Sequence, residues 1–271
     1  MTTTMTHGPG ITSGNPALGR LESESEQGSA AVDRGGPTMT IAGTSLKTLV
    51  LLLVLVAGGV WGWASATAPV GADLGSGYGN TTVTIPGGFW IASFGALFVG
   101  IFASMNPKRA GLFGMIYAVL QGYCLGAISA AYEAQTSGIV GAAIVATLAV
   151  FVAALFLYLT GIVKPTRKLA FGVAAGIAGL CIFYLFVGVI RLFDWGWVYS
   201  DDFRAIGAIV SVIAIVLAAL SLTLDFATID AGRRNGAPKF MEWYSAWGLM
   251  VTLIWLYITL LRLLAYLGRN R

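Results

Sequence analysis

Residues 205–225 read AIGAIVSVIAIVLAALSLTLD, twenty uncharged residues closed by one carboxylate, Asp225. A helix crossing the ~30 Å hydrocarbon core of a bilayer needs about 20 mostly apolar residues, and this run supplies them. It is continuous rather than alternating and longer than a barrel strand, which argues against a β reading. Runs of the same kind recur at 46–66, 88–105, 111–131, 138–160, 169–192 and 243–265. The run at 88–105 is the shortest and holds several glycines. Turn-forming segments separate them, among them Asn106-Pro107-Lys108-Arg109, Lys164-Pro165-Thr166-Arg167-Lys168 and Asn235-Gly236-Ala237-Pro238. The expected fold is an all-α membrane protein, a seven-transmembrane-helix bundle over residues 45–271.

Composition agrees. Of 271 residues 57% are hydrophobic and 10% charged, whereas a soluble domain carries about 25% charged residues. The missing polar surface must face lipid. Residues 1–44 differ: they are rich in Thr, Ser, Gly, Pro and Glu and cannot bury enough apolar surface to offset the entropy of ordering. They are expected to form a disordered cytoplasmic tail. They do not read as a signal peptide, because about forty polar residues precede the first long apolar run, and a signal peptide spans roughly 15–30 in all. Cys124 and Cys181 both lie in apolar runs and are expected to be separate buried thiols. The one histidine, His7, is in the tail. The membrane body therefore has no His-based metal site, Ser/His catalytic pair or His relay. Basic residues form only short loop groups, which is no basis for nucleic-acid binding.

Lys and Arg placement sets the orientation. Arg20, Arg34 and Lys47 precede or open the first run, and the 67–87 loop has no basic residue. Lys108 and Arg109 follow, then a 132–137 loop with none, then Lys164, Arg167 and Lys168. The 193–204 loop holds Asp194, Asp201, Asp202 and Arg204, and the last loop Arg233, Arg234 and Lys239. This alternation puts the N-terminus in the cytoplasm of a multi-pass protein. Arg269 and Arg271 fall on the outer side, and a re-entrant final segment would return them inside. Trp61, Trp63, Trp195, Trp197, Trp243 and Tyr244 suit headgroup level. The pairs Gly122/Gly126 and Gly172/Gly176 would let helices three and five pack closely.

Ionisable groups in or beside a membrane are costly and mark function by default. Asp225 ends the sixth run near the cytoplasmic face, on a side chain too short to reach far. Asp230 follows at the interface, Glu242 opens the seventh run and Arg262 lies late in it. Arg262, Arg191 and Glu133 have side chains long enough to snorkel to the headgroups. Asp225 and Arg262 would sit near opposite faces, since twenty helical residues span about 30 Å. Enzyme readings find no support. A rhomboid-type protease needs a membrane histidine, an intramembrane aspartyl protease needs a carboxylate pair in Tyr-Asp and Gly-x-Gly-Asp motifs, and no Walker or Rossmann fingerprint occurs.

One region is distinctive: Leu224-Asp225-Phe226, then Gly236-Ala237-Pro238-Lys239-Phe240-Met241-Glu242-Trp243-Tyr244, then Trp255-Leu256-Tyr257-Ile258-Thr259-Leu260-Leu261-Arg262. It resembles the bacterial branch of the Bax-inhibitor-like, or transmembrane Bax inhibitor motif, family. Tyr117-Ala118-Val119-Leu120-Gln121-Gly122-Tyr123-Cys124-Leu125-Gly126-Ala127-Ile128-Ser129 is similar to that branch's third helix, and Asn15-Pro16-Ala17-Leu18 also fits. The resemblance covers about residues 40–265. It implies seven helices with the last central, a bacterial plasma (inner) membrane location, and a pH-sensitive calcium leak. It also implies a proton-sensing aspartate pair in helices six and seven, and an arginine and an acidic residue in helix two. Asp225 matches the first aspartate. Counting back from Leu260-Leu261-Arg262 puts Thr252 at the second. Asn106 falls near the arginine position, with Lys108 or Arg109 as substitutes, and Gly95 near the acidic one. The dyad is thus incomplete, and one carboxylate lacks the coupled titration of a close pair.

Two functions follow as expectations. One is a calcium or cation leak, with Asp225 at the pore mouth as a weak calcium site and calcium or protons as permeant or regulator. The other is a non-conducting scaffold or stress-response interaction protein that binds a protein partner through its tail. A small-solute transporter lacks the inverted repeat and broken helices it would need. No cofactor is expected, and the bilayer itself is the principal partner.

Overall fold

The computed structural model describes residues 37–66, 86–163, 165–192 and 201–268. Seven helices account for most of them: α1 (Ile41–Ala66), α2 (Phe89–Met105), α3 (Ala110–Gln135), α4 (Ile139–Leu159), α5 (Arg167–Leu192), α6 (Asp201–Arg234) and α7 (Met241–Gly268). A 3-10 turn, Pro107–Arg109, leads into α3. No strand occurs among the described residues. Six helices are long and apolar enough to cross a membrane, and α2, with 17 residues, is the shorter apolar one. Their exposed faces are apolar, as with Leu53, Val56 and Val60 on α1 and Leu148, Val152 and Phe156 on α4. Helices suit hydrocarbon because each satisfies its own backbone polar groups.

Three boundaries differ from the reading of the sequence. First, α1 starts at Ile41 rather than 46, and the four residues before it are docked. The Met39 N–H donates to the Ala237 carbonyl at 2.8 Å, the Lys239 N–H donates to Pro37 at 3.1 Å, and Met39 is buried. The part of the expected disordered tail at 1–36 lies outside the described residues. Second, α6 runs on to Arg234 instead of stopping at Asp225. What stops it is Gly236 at φ 65, with the Ala237 N–H bonded to the Gly232 carbonyl at 2.9 Å, the left-handed glycine cap that satisfies a helix's last carbonyls. Third, α7 is a single helix of 28 residues, about 42 Å long, so the re-entrant final segment is not formed.

Packing centres on two contacts. α1 lies against α3 through glycines on both helices. A Cβ added at Gly122 would fall on the Leu55 carbonyl oxygen, one at Gly126 on that of Gly59, and one at Gly62 on that of Tyr123. Backbones approach this closely only where side chains are absent. The expected role of Gly122/Gly126 holds, and its partner surface is the glycine stretch of α1. Gly172/Gly176 behaves differently: Gly172 faces open space, and Gly176 meets Leu217 of α6. The second contact pairs α6 with α7, where Leu222, Leu249, Leu256 and Leu260 form a core that Met39 joins. α7 also packs on α1, α3 and α4, whereas α5 packs on α6, and α2 on α3 and the turn after it. Cys124 is buried, but Cys181 is exposed on α5, because that helix has one packed face only.

The glycine seam gives a direct stability expectation. Gly126→Leu should lower the unfolding free energy in detergent by about 2 kcal/mol or more, since rigid backbone cannot yield as a side chain does. Gly172→Ala, where nothing lies within 4 Å of the new methyl, should stay within about 0.5 kcal/mol of the parent. Equal losses in thermal unfolding of the two variants would refute the seam.

Candidate functional site

Asp225 lies nine residues before the end of α6, about 14 Å along the helix from Arg234. Because α6 continues past it, the carboxylate sits well inside the bundle rather than at its edge, as the shorter helix suggested. Its partner is on α7, where the Thr252 hydroxyl donates to Asp225 Oδ2 at 2.7 Å. The Thr252 hydroxyl oxygen also lies 3.3 Å from the Gly248 carbonyl of its own helix, the weaker of its two contacts. Thr252 is buried and Asp225 partly so. A carboxylate this far from water requires hydrogen bonding, and a neutral hydroxyl supplies one bond without a second charge.

Among the described residues Glu242 is the acid least exposed to solvent. Its side chain is 0% exposed. Lys47, in the second turn of α1, forms an ion pair with Oε2. The Thr40 N–H and hydroxyl donate to Oε1 at 2.9 and 3.0 Å. A Cβ on Gly43 would collide with this carboxylate, so glycine there makes room for it. The Lys47 ammonium also lies 5.4 Å from the Trp243 ring centroid, within cation–π range. Trp243 therefore packs inside the bundle end rather than acting only as a headgroup anchor. Lys47 counts as one more loop charge in the sequence. The signal that could have flagged it is its place within an apolar helix, where a lysine without a partner is costly.

Asp230, Arg262 and Glu133 are also engaged. Asp230 accepts from Arg234 Nη2 at 2.7 Å and pairs with Arg233 at 3.5 Å, and the Tyr158 hydroxyl of α4 donates to it at 3.1 Å. Arg262 lies 4.7 Å from the Tyr184 ring of α5, so it stacks on a neighbouring helix. It follows Thr252 by ten residues on α7, about 15 Å further along, and does not meet Asp225. Glu133 caps α4: the Gly138 and Val140 N–H groups donate to its carboxylate, the latter at 3.0 Å. An acid is favoured at that positive helix end. This replaces the expected snorkelling. A pair missed in the sequence joins Ser129 of α3 to Tyr257 of α7, oxygen to oxygen at 2.7 Å. The Arg191 side chain, Trp195 and Trp197 lie outside the described residues.

The structure therefore brings Asp225 and Thr252 together and leaves Glu242, Asp230 and Arg262 in separate contacts. Neither Asn106, which ends α2 with its amide on the Phe102 carbonyl, nor Gly95, beside Leu120, joins the Asp225 site. Among the described residues α2 packs only on α3 and the turn that follows it. Lys108 and Arg109 lie in that turn, against α7. Calcium takes 6–8 oxygen ligands, while Asp225 and Thr252 offer one carboxylate and one hydroxyl. No group of three or more His, Cys, Asp or Glu converges among the described residues. A resident calcium site does not fit here, although passing contact of a cation with Asp225 would need no full ligand shell.

Comparison with known proteins gives one positive result. The family model described as "Bax inhibitor 1 like" matches residues 15–269, almost the whole chain. No curated protein and no solved structure matches.

The Lys47–Glu242 pair can be tested by a double-mutant cycle. Glu242→Met or Lys47→Met alone should each cost about 3–5 kcal/mol in unfolding free energy, because each strands a buried charge. Joint replacement of both by Met should cost less than the sum of the single losses. Additive losses in denaturant titrations of detergent-solubilised protein would show the two side chains to be independent.

Proposed function

The chain belongs to the Bax inhibitor 1 like family, and from that premise we propose that it is a seven-span protein forming a cation leak, calcium being the cargo, with Asp225 on the path. In this reading α7 is the central helix and α2 the seventh span. The basic turn and loop residues Lys108, Arg109, Arg167, Lys168, Arg233, Arg234 and Lys239 face the cytoplasm of a bacterial plasma membrane, together with the N-terminus. The protein performs no covalent chemistry.

The observation carrying this proposal is the Thr252–Asp225 hydrogen bond at 2.7 Å. A lone carboxylate held inside a membrane bundle by one neutral donor has no cation beside it among the described residues, which leaves its oxygens open to a passing one. A second aspartate would compete for a shared proton, whereas a hydroxyl does not. Glu242, by contrast, is neutralised by Lys47, and Asp230 by two arginines. Of the acids in α6 and α7 past residue 204, Asp225 alone has no cationic partner among the described residues. Conduction requires binding strong enough to admit an ion and weak enough to release it, and the sparse ligand set at Asp225 is of that kind.

A second reading, a non-conducting scaffold whose tail recruits a protein partner, draws on the same single carboxylate. In that reading Asp225 is structural and ties α6 to α7 through Thr252. Removing residues 1–36, which leaves the docked Pro37–Thr40 segment in place, separates the readings. A leak survives that truncation, and tail-dependent partner binding does not.

Calcium entry into proteoliposomes is the decisive measurement. Asp225→Asn should reduce flux about tenfold, the factor that ~1.4 kcal/mol of lost cation stabilisation produces. Thr252→Asp should spread the pH dependence of flux over a wider range, because two carboxylates at that distance lose their protons in two separate steps. Equal flux in parent and Asp225→Asn would remove Asp225 from the path. Absence of flux in every variant would leave the scaffold.

A further inference from the structure

Two clefts open on the same side of the molecule, between α1 and α4. One, of about 950 Å³, lies at the end carrying Arg234, and the other, of about 550 Å³, lies toward the opposite end. Leu52 of α1 lines both, and α7 supplies the floor of each, with Leu249 in the first and Leu253, Ile254 and Tyr257 in the second. They therefore form one trough with a constriction at Leu52. From Ile41 to Ala64, its extremes on α1, it runs about 35 Å at 1.5 Å per residue. That is a few ångströms more than the ~30 Å of a bilayer's hydrocarbon core.

The two ends differ chemically. The far chamber is lined almost wholly by aliphatic and aromatic carbon, and its hydroxyls are already committed. Ser129 and Tyr257 bond to each other, and Thr147 donates to the Ala143 carbonyl at 2.7 Å. It offers a ligand only apolar surface. The near chamber holds Ser45, Tyr158, Asp230 and Arg234. Arg233 and Arg234 face one carboxylate, Asp230, so the cluster carries one net positive charge, and their side chains are 53% and 73% exposed. Guanidinium groups not exhausted by Asp230 suit a phosphate, which they bind through paired N–H donors.

We propose that this trough is a binding site for an anionic phospholipid, with the phosphate at Arg234 and an acyl chain passing Leu52 into the apolar chamber; Arg233, outside the lining, shares Asp230 and so leaves Arg234 less neutralised. A soluble phosphate would use only the charged end and leave the far chamber without a role. A zwitterionic lipid brings a cationic group to a site that is already positive. The trough stays open because α1 is committed elsewhere, to α3 through glycines and to α7 through Lys47.

The test uses full-length protein in detergent, with native mass spectrometry and thermal unfolding as readouts. Phosphatidylglycerol should remain bound and raise the melting temperature, phosphatidylcholine of the same acyl chains should do so much less, and inorganic phosphate should have no effect. Arg234→Gln should weaken phosphatidylglycerol retention about fivefold and erase the preference over phosphatidylcholine. Leu52→Trp, which fills the constriction, should reduce retention of both lipids. In the unmutated protein, a phosphatidylglycerol carrying a photoreactive group near its chain end should label α7 around Leu253 and Ile254. Equal retention of the two lipids, stabilisation by inorganic phosphate alone, or labelling confined to other helices would each overturn the proposal, even if a variant failed to fold.

Discussion

A polar group withdrawn from water is costly without a partner, and the polar contacts that join one helix to another here run largely through α7. Glu242 receives Lys47 from α1, Thr252 reaches Asp225 on α6, Tyr257 meets Ser129 on α3, and Arg262 lies over Tyr184 on α5. Leaving any of these unmatched in a low-dielectric interior would cost several kcal/mol. Each match fixes the angular position of one helix about α7. Apolar packing alone does this poorly in a bilayer, because lipid tails are as apolar as leucine and exert no net pull between helices. The polar contacts thus act as registers, while the van der Waals surface around them supplies the bulk of the cohesion.

The glycine seam between α1 and α3 complements those registers. It lets two backbones touch, drawing α1 to one side of α7. Lys47 holds the same helix at its start, and the docked Met39 ties the segment before it to the α6–α7 loop. With both its glycine face and its lysine occupied, α1 does not close onto α4. The trough between them is a consequence of where α1 is anchored. Apart from the Arg262–Tyr184 contact that joins α5 to α7, neither α5 nor α2 has comparable ties; α5 packs mainly on α6 and α2 mainly on α3, which leaves broad lipid-facing surfaces on both.

Much of this was legible in order but not in contact. Length and hydropathy place the helices to within a few residues, and the family resemblance stands over almost the whole chain. The largest miss, α6, has a simple cause: Asp225, Asp230, Arg233 and Arg234 end the apolar run, yet the helix persists until Gly236 supplies a left-handed cap. Hydropathy reports where lipid-compatible sequence ends, whereas hydrogen bonding decides where the helix ends. The same gap explains Lys47 and Glu133. Each looks like an interfacial charge in sequence, but one is paired inside the bundle and the other caps the next helix.

The sequence by itself determined that this chain is helical, apolar around most of its surface and sparing with charge. Those properties follow from local composition and from the length a bilayer imposes. It also put Asp225 and Thr252 forward as matching positions, by alignment to a family pattern. Only the tertiary structure decided that those two side chains touch, that Glu242 is enclosed by Lys47 and Thr40, and that α1 and α4 stand apart. Such pairings join residues 27 to 202 positions apart. They depend on how helices rotate and lean against one another, which no periodicity within a single helix encodes.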